Sequence, residues 1–244
     1  MNSEILQKEK DPMGAAIFDY FNKGKALPLR VFSSQFDEDE MPVKELFRTY
    51  EQMHPLEQKA LQLAGGHILD AGAGSGCHSL ALQSMGKEVC AIDISPLAVE
   101  TMKLRGVKDA RLANLMSPAF GGQFDTILML MNGSGIVGKI EFLPLFFDRM
   151  KQILAPGGCV LMDSSALRYL FEDENGEMLI DLAADYYGQV DFCMQYGQVV
   201  GDSFDWLYID FDTLALYAAN CGFKAELVEE GDHYNYLARL SVAN

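Results

Sequence analysis

The stretch Ile68–Leu82, ILDAGAGSGCHSLAL, decides the fold. An apolar run ends in an acid and passes into glycines at every second position. It reads as a strand, a tight loop and the start of a helix. Gly72, Gly74 and Gly76 lack Cβ atoms, so the backbone there can take positive φ and let a ligand approach closely, and Asp70 at the strand end offers a fixed acceptor. A dinucleotide fingerprint, GxGxxG, would put its third glycine at position 77, where this chain has Cys77.

A second apolar strand, EVCAIDISP (Glu88–Pro96), carries Asp93 at its C-terminal end. The spacing from Asp70 equals one helix plus one strand. The two acids therefore end adjacent parallel strands and face one crevice at the carboxyl edge of the sheet. An acid there accepts two ribose hydroxyl hydrogen bonds, in an NAD-binding fold as in others; alternatively it serves the turn before Ser95 and Pro96, the Ncap and N1 of the next helix. Apolar strands followed by polar residues recur at Ala110–Asn114, Phe124–Asn132 and Cys159–Ser165.

In order and spacing, residues 65–165 resemble the class I S-adenosylmethionine-dependent methyltransferases. The Asp-x-Gly-x-Gly-x-Gly run resembles their motif I and FDTILMLMNGSG their motif IV, while LAPGGCVLMDSS resembles the helix end, turn and fifth strand that follow, with Gly157 and Gly158 ending the helix. The resemblance implies a Rossmann-like α/β fold: a seven-stranded, mostly parallel sheet with an antiparallel last strand and helices on both faces. It assigns Asp70, Gly72, Gly74 and Gly76 to the methionine end of S-adenosylmethionine, Asp93 to the ribose, Ile94 to the adenine face, and Asn114 with Leu115 to the adenine edge. Met131, Asn132 and Gly133 then lie nearest the transferring methyl group. Asn132–Gly135 departs from the Asn/Asp-Pro-Pro-aromatic form of motif IV, which counts against adenine-N6, cytosine-N4 and protein-glutamine acceptors. Methyl transfer is an in-line displacement at carbon activated by a sulfonium, so the protein chiefly aligns and desolvates. No catalytic base is identifiable.

Residues 1–64 form an N-terminal helical extension or lid, and 65–244 the methyltransferase domain. Asp11 and Pro12 are Ncap and N1 of a helix to Asn22, followed by LPLRVFSS, the acidic run Asp37–Glu40 and a second helical stretch. By analogy with the family, Tyr20, Arg30, Arg48 and Tyr50 are candidate lid residues, with Tyr20, Arg48 and Tyr50 also candidates for substrate binding; packing of the tyrosines on the sheet, and pairing of Arg48 with the acidic run, are the structural alternatives. His78, at the first turn after the glycine loop, is either a structural hydrogen-bonding residue or a contact to the methionine end. After the acidic stretch Phe171–Glu177, an inserted hairpin spans about 186–210, with Tyr186, Tyr187, Tyr196 and Trp206 as pocket walls or sheet-packing aromatics. A helix near Asp212–Asn220 leads to FKAELVEE and HYNYLARLSV, a closing antiparallel hairpin foreign to an all-parallel dinucleotide domain.

Composition narrows the partners. The net charge of −16 argues against a nucleic-acid substrate, which needs a basic surface, and favours a small molecule. Five scattered cysteines suggest buried free thiols, and the four dispersed histidines give no metal-ligand spacing, so no metal is expected. No apolar stretch reaches membrane-span length and the N-terminus is polar, which points to a cytoplasmic protein. The competing readings are an NAD-dependent oxidoreductase and a non-catalytic S-adenosylmethionine-binding protein.

Overall fold

The computed structural model describes residues 4–171 and 185–243. In chain order the elements are α1 (Pro12–Lys23), β1 (Leu29–Phe32), β2 (Asp39–Met41), α2 (Pro55–Leu63), β3 (Ile68–Ala71), α3 (Cys77–Ser84), β4 (Val89–Asp93), α4 (Pro96–Arg105), β5 (Ala110–Leu112) and β6 (Phe124–Met129). There follow α5 (Leu143–Ile153), β7 (Leu154–Ser165), β8 (Gln189–Tyr196), β9 (Val199–Val200), β10 (Phe204–Leu207), α6 (Phe211–Asn220), β11 (Phe223–Glu230) and β12 (Asn235–Val242).

Seven strands form the main sheet in the order β11-β12-β7-β6-β3-β4-β5. Strands β5, β4, β3, β6 and β7 are parallel, and β12 runs antiparallel to both β7 and β11. This is the seven-stranded sheet with a reversed last strand that the sequence implies. The chain leaves β3 toward β4 and β5, then returns to the other side of β3 as β6. That reversal opens a crevice beyond the carboxyl ends of β3 and β6.

Burial explains the strand composition. Every residue of β3 is buried, as expected for a strand covered on both faces. Leu69 joins a core with Ile127 of β6, Phe146 and Met150 of α5 and Leu214 of α6. Its neighbour Ile68 points the other way, into a core with Leu61 of α2 and Leu82 of α3. Val99 and Met102 of α4 pack with Ala91 of β4 on a third patch. No helix among the described residues is long and apolar enough to cross a membrane.

The N-terminal extension is helical in α1 and α2 but also supplies strands. LPLRVFSS becomes β1, which pairs antiparallel with both β2 and β8. The inserted hairpin, β8 with β10, is thereby enlarged to a five-stranded antiparallel sheet in which β9 also pairs with β8. Asp11 caps α1 by accepting from the Gly14 amide at 2.8 Å, and its other oxygen takes the Ser95 hydroxyl at 2.5 Å. Ser95 in turn caps α4 through the Ala98 amide at 2.9 Å. One buried carboxylate thus joins the extension to the main domain.

The structure corrects the expected helix end at Gly157 and Gly158. Helix α5 stops at Ile153, with Leu154 already extended at φ −77° and ψ 134°. Pro156 cannot continue a helix and biases Ala155 away from helical geometry. The two glycines instead serve the re-entry of the chain beside β6: Gly157 has φ +80°, and a Cβ on Gly158 would come within 2.8 Å of the Phe124 carbonyl oxygen. Of the acidic stretch Phe171–Glu177, residues 172–177 lie outside the described residues.

The glycine loop carries the sharpest steric requirement. Gly76, the Ncap of α3, has φ +82°, and a Cβ there would lie 2.8 Å from Val107 Cγ2 and 2.9 Å from Met102 Cγ. Gly76→Ala is expected to lower unfolding free energy by about 2–4 kcal/mol, combining left-handed strain with overpacking, as read by urea denaturation.

Candidate functional site

Five turns at the carboxyl ends of β3, β4, β5, β6 and β7 converge on a cleft of about 1350 Å³. The loop after β3 sets its floor. Gly72 and Ala73 both donate to the Ile92 carbonyl at 3.0 Å, and Gly74 donates to Asp93 Oδ2 at 2.8 Å. Ser75 is gripped from two sides: its hydroxyl donates to the Leu46 carbonyl, and Arg105 donates to its carbonyl at 2.7 Å. Gly72, Gly74 and Gly76 all have positive φ. A Cβ on Gly74 would meet nothing within 4 Å, so the loop leaves open space there, on the cleft it lines.

Asp93 ends β4 and accepts from Ser95 as well as from Gly74, both at 2.8 Å. Burial pushes its carboxyl up to about 6, a rise that two backbone amides restrain and the nearby charges of Asp11 and Asp70 reinforce. Asp70 is buried at the end of β3 and accepts from Ser79 of α3 at 2.6 Å; burial raises its pKa too. Ile94, Asn114, Leu115 and Met131 all line the same cleft, so the structure brings the nine predicted cofactor-side residues to one place, with Gly76 just behind the lining. Asn114 accepts from the Met116 amide at 2.7 Å, which fixes the turn after β5.

The predicted substrate-side residues divide. Asn132, Gly133 and Trp206 line the cleft, and Trp206 lies against Gly135 so closely that no Cβ could be added there. Tyr20 does not line it, but packs at 4.8 Å, tilted by 38°, against Phe47 in a cluster that includes Leu29 of β1. Tyr50 packs near α2 and accepts from Gln62 at 2.8 Å. Arg30 forms an exposed pair with Glu38. Tyr186 and Tyr187 both donate to Asp210, the Ncap of α6, while Tyr196 donates to Asp19 of α1. These aromatics are anchors of the fold.

Arg48 is neither a wall of the main cleft nor a partner of the Asp37–Glu40 run. It is buried, donating to Glu57 Oε1 at 2.7 Å and to the Glu45 carbonyl at 2.8 Å, and it lines a side pocket of about 370 Å³ behind Met131 and Asn132. Glu57 also accepts from His78 Nε2 at 2.7 Å and from the His54 amide at 2.9 Å. Burial alone would raise the Glu57 pKa; the His78 hydrogen bond and the two cationic neighbours outweigh it, and the net shift is downward.

Asp163, at the end of β7, is a site residue that the motif comparison missed. Its carboxylate accepts from Met131 at 3.1 Å and Gly133 at 2.9 Å, holding Met131 and Asn132 at φ 65° and 58°. Two consecutive non-glycine residues in that region are strained, and such strain persists where the surroundings enforce it. The signal was present: an apolar strand ending in an acid, as at Asp70 and Asp93. Burial pushes the Asp163 carboxyl up to about 6. Cys77 also lines the cleft, but burial, with Asp70 and Glu57 nearby, raises its thiol to about 12, which removes it as a nucleophile.

The fold and this cleft define a class of enzyme that holds a nucleoside cofactor across the carboxyl edge of a seven-stranded sheet. Residues 69–162 match the family model described as a methyltransferase domain. A solved SAM-dependent methyltransferase from Bacteroides fragilis, in complex with S-adenosyl-L-homocysteine, is 66% identical over 100% of both chains with a TM-score of 0.95. The CcbJ methyltransferase from Streptomyces caelestis, 14% identical, shares the fold over 98% of this chain and 100% of its own, with a TM-score of 0.60. The magnesium-protoporphyrin O-methyltransferase of Rhodobacter capsulatus is 34% identical over 74 residues, 28% of this chain and only 33% of that enzyme. The chain belongs to the S-adenosylmethionine-dependent methyltransferases.

Glu57→Ala would strand Arg48 and His78 in the interior without their shared counterion. It is expected to cost about 3–5 kcal/mol of stability, measurable by chemical denaturation.

Proposed function

We propose that this chain transfers a methyl group from S-adenosylmethionine to a small-molecule acceptor held between the Met131–Gly133 turn and the five-stranded sheet. The observation that carries the reading is the shared cleft: Asp70, Gly74 and Asp93 on one side, and Asn132, Gly133 and Trp206 on the other. The residues suit the cofactor. Asp70 is an acceptor for its ammonium group, Asp93 for its ribose hydroxyls, and the open face of Gly74 allows close approach. When bound, S-adenosylmethionine supplies an electrophilic methyl group on a sulfonium, so the chain's own task is positioning and exclusion of water.

Enclosure supports a small acceptor. Residues Glu4–Gln7 line the cleft, and the Leu6 amide donates to the Ile94 carbonyl at 3.0 Å, drawing the N-terminal segment across it. Phe36, Phe192, Phe204 and Trp206 contribute an aromatic wall. Nine carboxylate residues line the cleft against Lys10 and His78, which opposes an anionic acceptor such as a nucleic acid. The enzyme of known name at 34% identity likewise acts, by that name, on a small molecule. The reading includes a cytoplasmic location, since a reducing compartment keeps the five thiols free.

Calorimetric titration with S-adenosylhomocysteine and, in parallel, NAD tests the cofactor assignment. Binding of the first alone is expected, and Asp93→Ala should weaken it by about 1.5–3 kcal/mol, tenfold to over a hundredfold. Retained affinity in a folded variant would overturn the ribose assignment. The sign of the pH dependence follows from burial. Because the folded pKa of Asp93 is raised from 3.8 to about 6, the protonated form prevails below that point and accepts fewer ribose hydrogen bonds. Affinity should therefore fall as pH drops through about 6, and Asp93→Asn should shrink that limb to the part that Asp70 contributes at lower pH. Trp206→Ala should raise the KM for a responsive acceptor severalfold with cofactor affinity unchanged; the reverse pattern would move Trp206 to the cofactor side.

A further inference from the structure

The cofactor's methionine end carries an ammonium and a carboxylate, and the second needs a cation. Resting on the cofactor reading above, we infer that the His78 imidazolium is the counterion of that carboxylate. Among the described residues that line the cleft only Lys10 and His78 are basic. Lys10 is exposed and paired with Asp202 at 2.8 Å. His78 is 4% exposed, lies two residues beyond Gly76 in the first turn of α3, and borders the cleft beside Asp70.

Its environment fits a charged imidazole. Glu57 of α2 takes Nε2 at 2.7 Å, and His78 is among the residues that line the cleft. Burial by itself would lower the His78 pKa; the Glu57 hydrogen bond and the charges of Asp70, Glu57 and Asp163 outweigh it and raise it above the usual histidine value. The other groups near this cluster are Arg48, whose guanidinium is engaged by Glu57 and Glu45, and the un-ionised thiol of Cys77. The first-turn amides of α3 add the positive end of the helix dipole. Glu57 has a positioning role here: from α2 it orients His78.

Removing the carboxylate from the ligand tests this without relying on turnover. Wild-type protein should bind S-adenosylhomocysteine about tenfold to a hundredfold tighter than its decarboxylated analogue near pH 6. This preference should shrink as pH rises through the His78 pKa, because the charged form is lost. His78→Gln, confirmed folded by circular dichroism, should bind the two ligands equally or favour the more cationic analogue, while keeping wild-type affinity for that analogue within about threefold. If the variant does not fold, the pH dependence of the wild-type preference decides. A pH-independent preference in the wild type, or a full preference in His78→Gln, would overturn the assignment to His78. Binding of neither ligand by the wild type would instead overturn the cofactor reading itself.

Discussion

Everything at this site depends on one carboxylate that does two tasks. Asp93 accepts the amides of Gly74 and Ser95, so it fixes the glycine loop after β3 and the entry to α4. A carboxyl group in that position is desolvated, and Asp11 and Asp70 nearby add repulsion. The loop needs an acceptor at the end of β4, and an acceptor there is costly in the absence of donors. Under the proposed ribose assignment, hydroxyl groups would add donors to oxygens that still have lone pairs, so the geometry that orders the loop would also prepare the ligand's binding.

The same logic extends around the cleft. Asp11, Asp70, Asp93 and Asp163 all have raised pKa values, with burial as the leading cause in each. Each is held by hydrogen bonds from the backbone or a hydroxyl, and three of them end strands β3, β4 and β7. Parallel strands bring their carboxyl ends together by topology, so acids placed at successive strand ends become neighbours. Their concentration gives the cleft an acidic lining, which suits a cationic ligand better than an anionic one.

How much of this is legible in the sequence follows from which interactions are local. The strand-loop-helix unit at Ile68–Leu82, the caps at Asp11 and Ser95, and the closing hairpin are local or periodic, and the structure forms each of them. The family resemblance added the seven-stranded, mostly parallel sheet with its reversed last strand, which no local pattern supplies. What escaped was long-range pairing. Nothing around Leu29–Phe32 shows that it will pair with Gln189–Tyr196, because a four-residue strand has too little pattern to name its partner. Arg48 was misread for a related reason: its acidic partner, Glu57, is nine residues away and buried, whereas the exposed acidic run is nearer to the eye than to the guanidinium. Tyr186 and Tyr187, pocket walls or sheet-packing aromatics by sequence alone, donate to the Asp210 cap, a partner more than twenty residues away.

The Met131–Asn132 turn shows why the protein needs so many backbone acceptors. Strand β6 ends at Met129, and the chain must turn sharply to present Asn132 and Gly133 to the cleft before the helical turn at Gly133–Val137. Two residues with side chains take left-handed geometry there, a costly choice that glycines would relieve. Glycines would also leave the turn free to sample other shapes. The bulky residues, clamped by Asp163 below and tied by Asn132 to the Leu207 carbonyl of β10, give one conformation with defined walls. For a reaction whose protein contribution is alignment, a strained but single-valued turn is worth more than a relaxed and mobile one. The tie to β10 also couples that turn to the five-stranded sheet, so the two walls of the cleft that Asn132 and Trp206 line are set by the same contact.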